Sequence, residues 1–174
     1  MKIQNKHNKS IGIITMHKVQ NFGSALQAFA LQHVVERLGY DAQIIDYKFP
    51  NVDHGVPNPS LLQRIKTSVG KMFNLTPGCR VLNKFDAFYN KYFKLSQSFQ
   101  TKENISSNPP MYNVYMTGSD QVWNPNFIKE DMTFYLDFVD RVKKVAYAPS
   151  FGVSDNRSDA MKLKDYYVSM TICL

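Results

Sequence analysis

Four short stretches of the chain are largely apolar without regular alternation, at residues 11–16, 43–47, 112–117 and 144–148. Each contains β-branched or aromatic side chains, and each is shorter than a typical helix. A run without polar alternation is typical of a strand that is buried on both faces of a parallel sheet. The pattern therefore predicts four neighbouring strands in one mostly parallel sheet.

A helical pattern lies between the first two of these strands, at residues 25–38. Its apolar positions share one face of a helix, and they are Ala28, Leu31, Val35 and Leu38. Gly39 follows as a stop, and either Asn21 or Ser24 can cap the start by accepting hydrogen bonds from first-turn amides. Strand, turn, helix and strand form a βαβ unit, whose crossover is right-handed.

The rest of the chain adds helices and loops to this sheet. Loops without hydrophobic periodicity are expected at 49–60 and 96–110, and a short aromatic segment stands at 134–139. Helical spacing recurs at 61–75 and 80–92, and a last, weak helix is expected at 155–167. The predicted fold is α/β, a Rossmann-like, mostly parallel sheet with helices on both faces.

A dense polar cluster follows the strand at 112–117, which is expected to break at a glycine turn. The cluster consists of Gly118, Ser119, Asp120, Gln121, Trp123 and Asn124. In open α/β sheets, ligands bind beyond the carboxyl ends of the strands, so this position suits a binding site. Asp120 can accept from a hydroxyl or take a proton, and Trp123 can stack on a sugar or fill the core. A purely structural Asx turn with a buried tryptophan explains the same residues.

The loop after the first strand, residues 17–24, ends at the start of the predicted helix. Free amides and the helix dipole favour anions at such a place. The loop has no GxGxxG pattern, so the residues do not indicate a dinucleotide site. His17 is either a ligand or acid there, or a polar residue whose hydrogen bonds are satisfied within the fold.

Composition and charge narrow the class of protein. The chain has 174 residues, 44% of them hydrophobic, and a net charge of +7. No apolar run is long enough to span a membrane, and the polar start lacks a signal-peptide core, so a cytoplasmic protein is expected. Cys79 and Cys173 form no pair or cluster, which indicates neither a disulfide framework nor a metal site. Basic residues recur through 61–94. They can form a solvated face of helices, a face that binds the inner membrane surface, or a surface that binds nucleic acid.

Three segments of the chain together resemble the amino-terminal half of the polysaccharide pyruvyl transferase family. They are IGIITMHKVQNFGSALQAFALQHVVERLGYDAQIIDY at 11–47, YMTGSDQVWNP at 115–125 and FYLDFVDRVKKVAYAPSFG at 134–152. The resemblance implies an enzyme of polysaccharide biosynthesis that moves pyruvate from phosphoenolpyruvate onto sugar hydroxyls as a ketal. It also implies two Rossmann-like domains, as in B-type glycosyltransferases, with the donor's cationic residues largely on the second domain.

On this resemblance the chain divides into a polar tail at 1–10, a Rossmann-like domain at 11–152 and a truncated or aberrant tail at 153–174. The resemblance implies Asp120 as the catalytic residue, no metal or cofactor, and phosphoenolpyruvate and a glycan as substrates. The expected acceptor-side residues are Asn21, Gly23, Ser24, Gln27, Gly118, Ser119, Gln121, Trp123 and Asn124.

Two other functions are compatible with the same sequence. A B-type glycosyltransferase or sugar-nucleotide-binding domain uses the same kind of sheet, and a basic nucleic-acid module rests on charge alone. As a fragment, the chain is expected to be inactive by itself, to expose apolar surface and to self-associate. Asp120 is expected at a cleft shared with the Asn21–Ser24 turn, either as a general base or as a cap for amides near Val122 and Trp123.

Overall fold

The computed structural model describes residues 9–19, 21–48, 61–73, 77–128, 131–152 and 170–173. These residues form a six-stranded sheet in the order β3-β2-β1-β4-β5-β6, and every pairing in it is parallel. The strands are β1 (Ser10–Ile14), β2 (Asp41–Tyr47), β3 (Leu95–Phe99), β4 (Val114–Asp120), β5 (Lys143–Pro149) and β6 (Thr171–Cys173). The four predicted strands are therefore neighbours in one parallel sheet, and the predicted fold class is confirmed.

Helices cover both faces of this sheet. They are α1 (Phe22–Arg37), α2 (Leu61–Phe73), α3 (Pro77–Tyr92), α4 (Lys102–Ser107) and α5 (Pro125–Ile128), with a 3-10 turn at Met132–Tyr135. None of the described helices is both long enough and apolar enough to cross a membrane.

Successive residues of β1 show why the strand sequences lack polar alternation. Ile13 packs with α1 residues on one face, and Ile14 packs on the other face in the cluster that contains Phe134. Both isoleucine side chains are fully buried. Because each face of the strand meets a helical or loop layer, both sets of side chains are apolar.

Neither β3 nor α4 was predicted, and together they take up most of the polar stretch 96–110, where a continuous loop was expected. β3 lies at the edge of the sheet, and its inner residues Ser96, Gln97 and Ser98 are half-buried or exposed. An edge strand can carry polar side chains, so hydrophobic periodicity does not mark it. The other end of the chain adds β6 to the same sheet beyond residue 152, and the helix predicted at 155–167 lies outside the described residues.

The expected break at Gly118 is wrong, because β4 continues through it to Asp120. The Gly118–Ser119 peptide bond is cis, and Gly118 has a φ of 113°. A Cβ at this position would overlap the carbonyl oxygen of Tyr147 on β5. Glycine is therefore required here by close approach of the β5 backbone rather than by the end of a strand.

A buried ionic cluster joins the exit of β1 to β2. His17, which is 1% exposed, places Nε2 3.0 Å from Oδ1 of Asp46 and Nδ1 3.2 Å from the carbonyl oxygen of Thr15. Lys18 donates to the other carboxylate oxygen of Asp46 at 2.7 Å. Burial by itself raises the pKa of Asp46, but the hydrogen bonds and charges of His17 and Lys18 outweigh it and lower the pKa from 3.8 to about 2. Of the two roles considered for His17, the structure shows a satisfied polar residue.

The substitution Gly12→Ala tests the packing of the β1 face opposite α1. A Cβ at Gly12 would overlap the ring atoms of Tyr112, so the ring has to move. We expect the free energy of unfolding to fall by about 1–3 kcal/mol, as for other overpacked cores. Chemical denaturation measures the loss. In a Tyr112→Ala background the same substitution should cost little, and equal costs in the two backgrounds would contradict the described contact.

The ionic cluster predicts a specific dependence of stability on pH. The folded protein keeps Asp46 ionised down to a pH of about 2, whereas the unfolded chain takes up the proton near 3.8. The stabilisation is therefore fully present above about pH 5 and is lost toward pH 2, by about 2 kcal/mol.

Denaturation curves across this pH range measure the effect. Asp46→Asn should lower the free energy of unfolding at neutral pH. Below pH 5, where the stabilisation by ionised Asp46 begins to be lost in the wild type, the variant's free energy of unfolding should depend less on pH. The matched control is Asp41→Asn, because Asp41 is 65% exposed and lies 4.0 Å from Lys94. An equal flattening by the control would exclude Asp46 as the source.

Candidate functional site

A cleft opens where the chain leaves β1 and β4 at the carboxyl edge of the sheet. β1 pairs with β2 on one side and with β4 on the other, and β4 leads on to β5, so the two connections diverge from this point. Such a divergence creates the crevice in which open α/β sheets bind ligands. The cleft has a volume of about 340 Å³, and it is lined by Asn21, Gly23, Ser24, Gln27, Ser119 and Asp120.

The start of α1 forms one wall of the cleft. Asn21 is the N-cap, and its Oδ1 accepts from the amides of Gly23 at 2.7 Å and Ser24 at 3.3 Å. Of the two cap residues considered, Asn21 is the one that the structure uses. Two amides at this helix start are consequently occupied by a side chain of the protein itself.

Asp120 joins the two loops, because its Oδ2 accepts from the hydroxyl of Ser24 at 3.0 Å. Its Oδ1 accepts from the amide of Gln121 at 2.8 Å, and its backbone has a φ of 80°. The expected cap of amides near Val122 and Trp123 is replaced by this contact with the next residue. The expected convergence of the Asn21–Ser24 turn and Asp120 on one cleft is confirmed.

Gln27 joins the segment that follows β1 to the end of β4 at the floor of the cleft. Its Nε2 donates to Oγ1 of Thr15 at 2.8 Å, and its Oε1 accepts from the hydroxyl of Ser119 at 2.8 Å. Thr15 is almost fully buried and had not been identified from the sequence. Its only sequence signal is a polar residue within the apolar run 11–16, since its contact with Gln27 depends on three-dimensional packing.

The second half of the polar cluster lies behind the cleft rather than on it. Asn124 is buried, and its Nδ2 donates to Oε1 of Gln121 at 3.0 Å. A Cβ on Gly152 would overlap this pair, so the chain after β5 passes directly against it. The backbone of Ser150 adds two hydrogen bonds. Its amide donates to the carbonyl oxygen of Asp120 at 2.9 Å, and its carbonyl oxygen accepts from the amide of Trp123 at 3.2 Å. Gln121 and Asn124 therefore fix the loop that carries Asp120.

Trp123 fills the core, the second of the two roles considered for it. Its ring stacks on that of Tyr135 at 5.0 Å between centroids, and its Nε1 donates to the carbonyl oxygen of Phe134 at 3.2 Å. The side chain is 4% exposed, so it offers no face to a ligand in this structure. It anchors the loop from below.

The six residues that line the cleft bring hydroxyl, amide and carboxylate groups together but no cation. Asp120 is the only ionisable side chain among them. Within the described ranges, no group of three His, Cys, Asp or Glu side chains is placed to hold a metal ion. The set can donate to and accept from several hydroxyls at once, which is the chemistry of a neutral polyol ligand.

Comparison with known families matches residues 21–169 of the 174-residue chain to the family described as polysaccharide pyruvyl transferase. No curated protein and no solved structure matches the chain. The matched range contains α1 and the end of β4, and these two elements with the N-cap Asn21 supply all six residues that line the cleft. The protein is a member of the polysaccharide pyruvyl transferase family.

Proposed function

We propose that this protein takes part in the transfer of pyruvate from phosphoenolpyruvate onto two hydroxyls of a glycan, and that its cleft binds the glycan. The observation that carries the proposal is the lining of the cleft, where Ser24, Gln27, Ser119 and Asp120 surround one space. None of the described residues that line it is a cation. A neutral acceptor fits this lining better than a donor with a carboxylate and a phosphate. Phosphoenolpyruvate is a cytoplasmic metabolite, which supports the cytoplasm as the place of reaction.

The reaction sets clear demands on the groups around the acceptor. Two sugar hydroxyls each form a bond to the central carbon of the enolpyruvyl group, the bond to the phosphate oxygen breaks, and the methylene becomes a methyl group. One hydroxyl proton is balanced by the proton that the methylene gains, and the other by the proton that leaves with phosphate. A base that accepts a hydroxyl proton is therefore needed on the acceptor side.

We assign that task to Asp120. Its Oδ2 already receives a hydroxyl hydrogen bond at 3.0 Å from Ser24, at the wall of the cleft. An acceptor hydroxyl in the same space can donate to this oxygen and transfer its proton as the new carbon–oxygen bond forms. The side chains of Gln27 and Ser119 orient neighbouring hydroxyls by ordinary hydrogen bonds.

The competing function, binding of a sugar nucleotide, makes a different demand on the same turn. A pyrophosphate is held by free amides at a helix start and by cationic side chains. Here Asn21 occupies the amides of Gly23 and Ser24, and no cation is among the lining residues in the part of the chain that the structure describes. These contacts favour the glycan acceptor over the nucleotide.

Ligand titrations followed by NMR separate the two functions. We expect neutral glycosides to shift the side-chain amide signals of Gln27, because the amide lies in the cleft. The side-chain amide of Gln100, which lines a different cleft beside Lys18 and Asp46, should not move and serves as the internal control. Sugar nucleotides that shift Gln27 through their diphosphate, with no response to neutral glycosides, would overturn the proposed acceptor site.

The substitution Asp120→Asn tests the base directly. Phosphate release is measured in a two-domain family member that carries the same Gly-Ser-Asp-Gln sequence, and stability is measured in both proteins. We expect turnover to fall by about 10²–10⁴-fold with an unchanged melting temperature, because a base is lost while both hydrogen bonds can be kept. The amide oxygen can accept from the backbone amide of Gln121, and the amide nitrogen can donate to the hydroxyl of Ser24.

Ser24→Ala is the matched control, since it removes the partner of Asp120 but leaves the carboxylate. It should lower turnover far less than Asp120→Asn does. A loss of about 1 kcal/mol or more of stability in Asp120→Asn, with full activity per folded molecule, would make Asp120 a turn residue only.

A further inference from the structure

The hairpin formed by α2 and α3, residues 61–73 and 77–92, concentrates the positive charge of the chain. Residues 61–92 contain six Lys and Arg residues and a single acidic residue, Asp86, for a net charge of +5. The remaining residues hold 15 Lys and Arg and 13 Asp and Glu, so they are nearly neutral. Arg80, Lys84 and Lys91 are spaced to share one stripe of α3, and all three are exposed.

Helix α2 also carries an exposed apolar stripe. The exposed fractions are 52% for Ile65, 44% for Val69, 70% for Met72 and 60% for Phe73. Positions i, i+4, i+7 and i+8 lie within one arc of a helix, so these side chains form a continuous surface. Gly70 is buried beside Cys79, which shows that α2 contacts α3 along a different side.

We infer that the hairpin of α2 and α3 docks on an anionic membrane surface. A helix that combines an exposed apolar stripe with a strongly basic setting lies in the interface plane of a bilayer. The apolar side chains enter the boundary between headgroups and acyl chains, and the cations attract anionic lipids. This inference goes beyond the proposed function and does not depend on it.

Charge decides among the partners that an exposed apolar stripe could have. Two copies of the hairpin would bring two surfaces of net charge +5 together, which opposes a dimer through this face. Nucleic acid would satisfy the cations, but phosphate contacts leave Met72 and Phe73 in water. An anionic bilayer satisfies both the cations and the apolar stripe.

The position of the hairpin relates the docking surface to the cleft. Phe22, the first residue of α1, stacks on Phe85 of α3 with 4.7 Å between ring centroids. Phe22 is 70% exposed, and an apolar cleft of about 190 Å³ lies beside it between α1 and α3, with Lys84 in its lining. The hairpin and the α1 wall of the cleft of Asp120 are therefore joined through packed aromatic side chains.

Sedimentation of the full chain with lipid vesicles tests the inference. We expect binding to vesicles of phosphatidylcholine with phosphatidylglycerol, little binding to pure phosphatidylcholine, and weakening with added salt. The double variant Met72→Gln and Phe73→Gln should partition at least about tenfold less, because two apolar side chains no longer enter the bilayer. Lys84→Gln with Lys91→Gln should weaken binding and reduce its dependence on salt.

Matched controls keep the result specific to this surface. Met111 is 93% exposed and lies outside the hairpin, so Met111→Gln should leave binding unchanged. Lys143→Gln removes an exposed cation elsewhere and should have little effect. Circular dichroism melts should be the same for all variants, since every substituted side chain is on the surface.

Several results would overturn the docking surface. These are no binding to anionic vesicles, equal binding to both vesicle types, or an equal loss in Met111→Gln and the α2 variant. A concentration-dependent dimer that the α2 variant abolishes, with no vesicle binding, would assign the stripe to a contact between copies. Salt-dependent binding to duplex nucleic acid without binding to vesicles would assign the cations to that partner.

Discussion

The pairing of β1 with β4 is the contact on which the rest of the molecule depends. It joins segments about one hundred residues apart, with Ile11 opposite Val114 and Ile14 opposite Thr117. Because the two strands run in parallel, their carboxyl ends meet at one edge, and the connections that follow must diverge. The same pairing places Ser24 at the start of α1 within 3.0 Å of Asp120 at the end of β4. The register of β1 against β4 therefore determines where the cleft forms.

Sequence patterns predicted the parts of the fold that are buried on two sides. The strands at 11–16 and 112–117 were recognised because burial on both faces removes polar alternation, and α1 was recognised from its apolar period. β3 was missed because it lies at the edge of the sheet, where polar side chains meet water. Gly118 was misread because a glycine turn and a glycine under a neighbouring backbone look identical in sequence.

The candidate site was predictable in its position but less so in its partners. Residues at the carboxyl ends of neighbouring parallel strands had to meet, so the proximity of Asp120 and the Asn21–Ser24 turn could be predicted. Thr15 and Gly152 were not identified, because their contacts with Gln27 and with the Gln121–Asn124 pair depend on three-dimensional packing. Trp123 illustrates the reverse problem, since a tryptophan has the same sequence signature whether it binds a sugar or fills a core.

The cap that Asn21 forms on α1 has a kinetic meaning under the proposed reaction. By occupying two amides at the helix start, it makes the acceptor cleft a poor place for a phosphate or carboxylate. An enzyme built on this cleft can then work at high concentrations of an anionic donor without the donor blocking the place of the glycan. One asparagine side chain would thereby reduce competition between the two co-substrates for the same place.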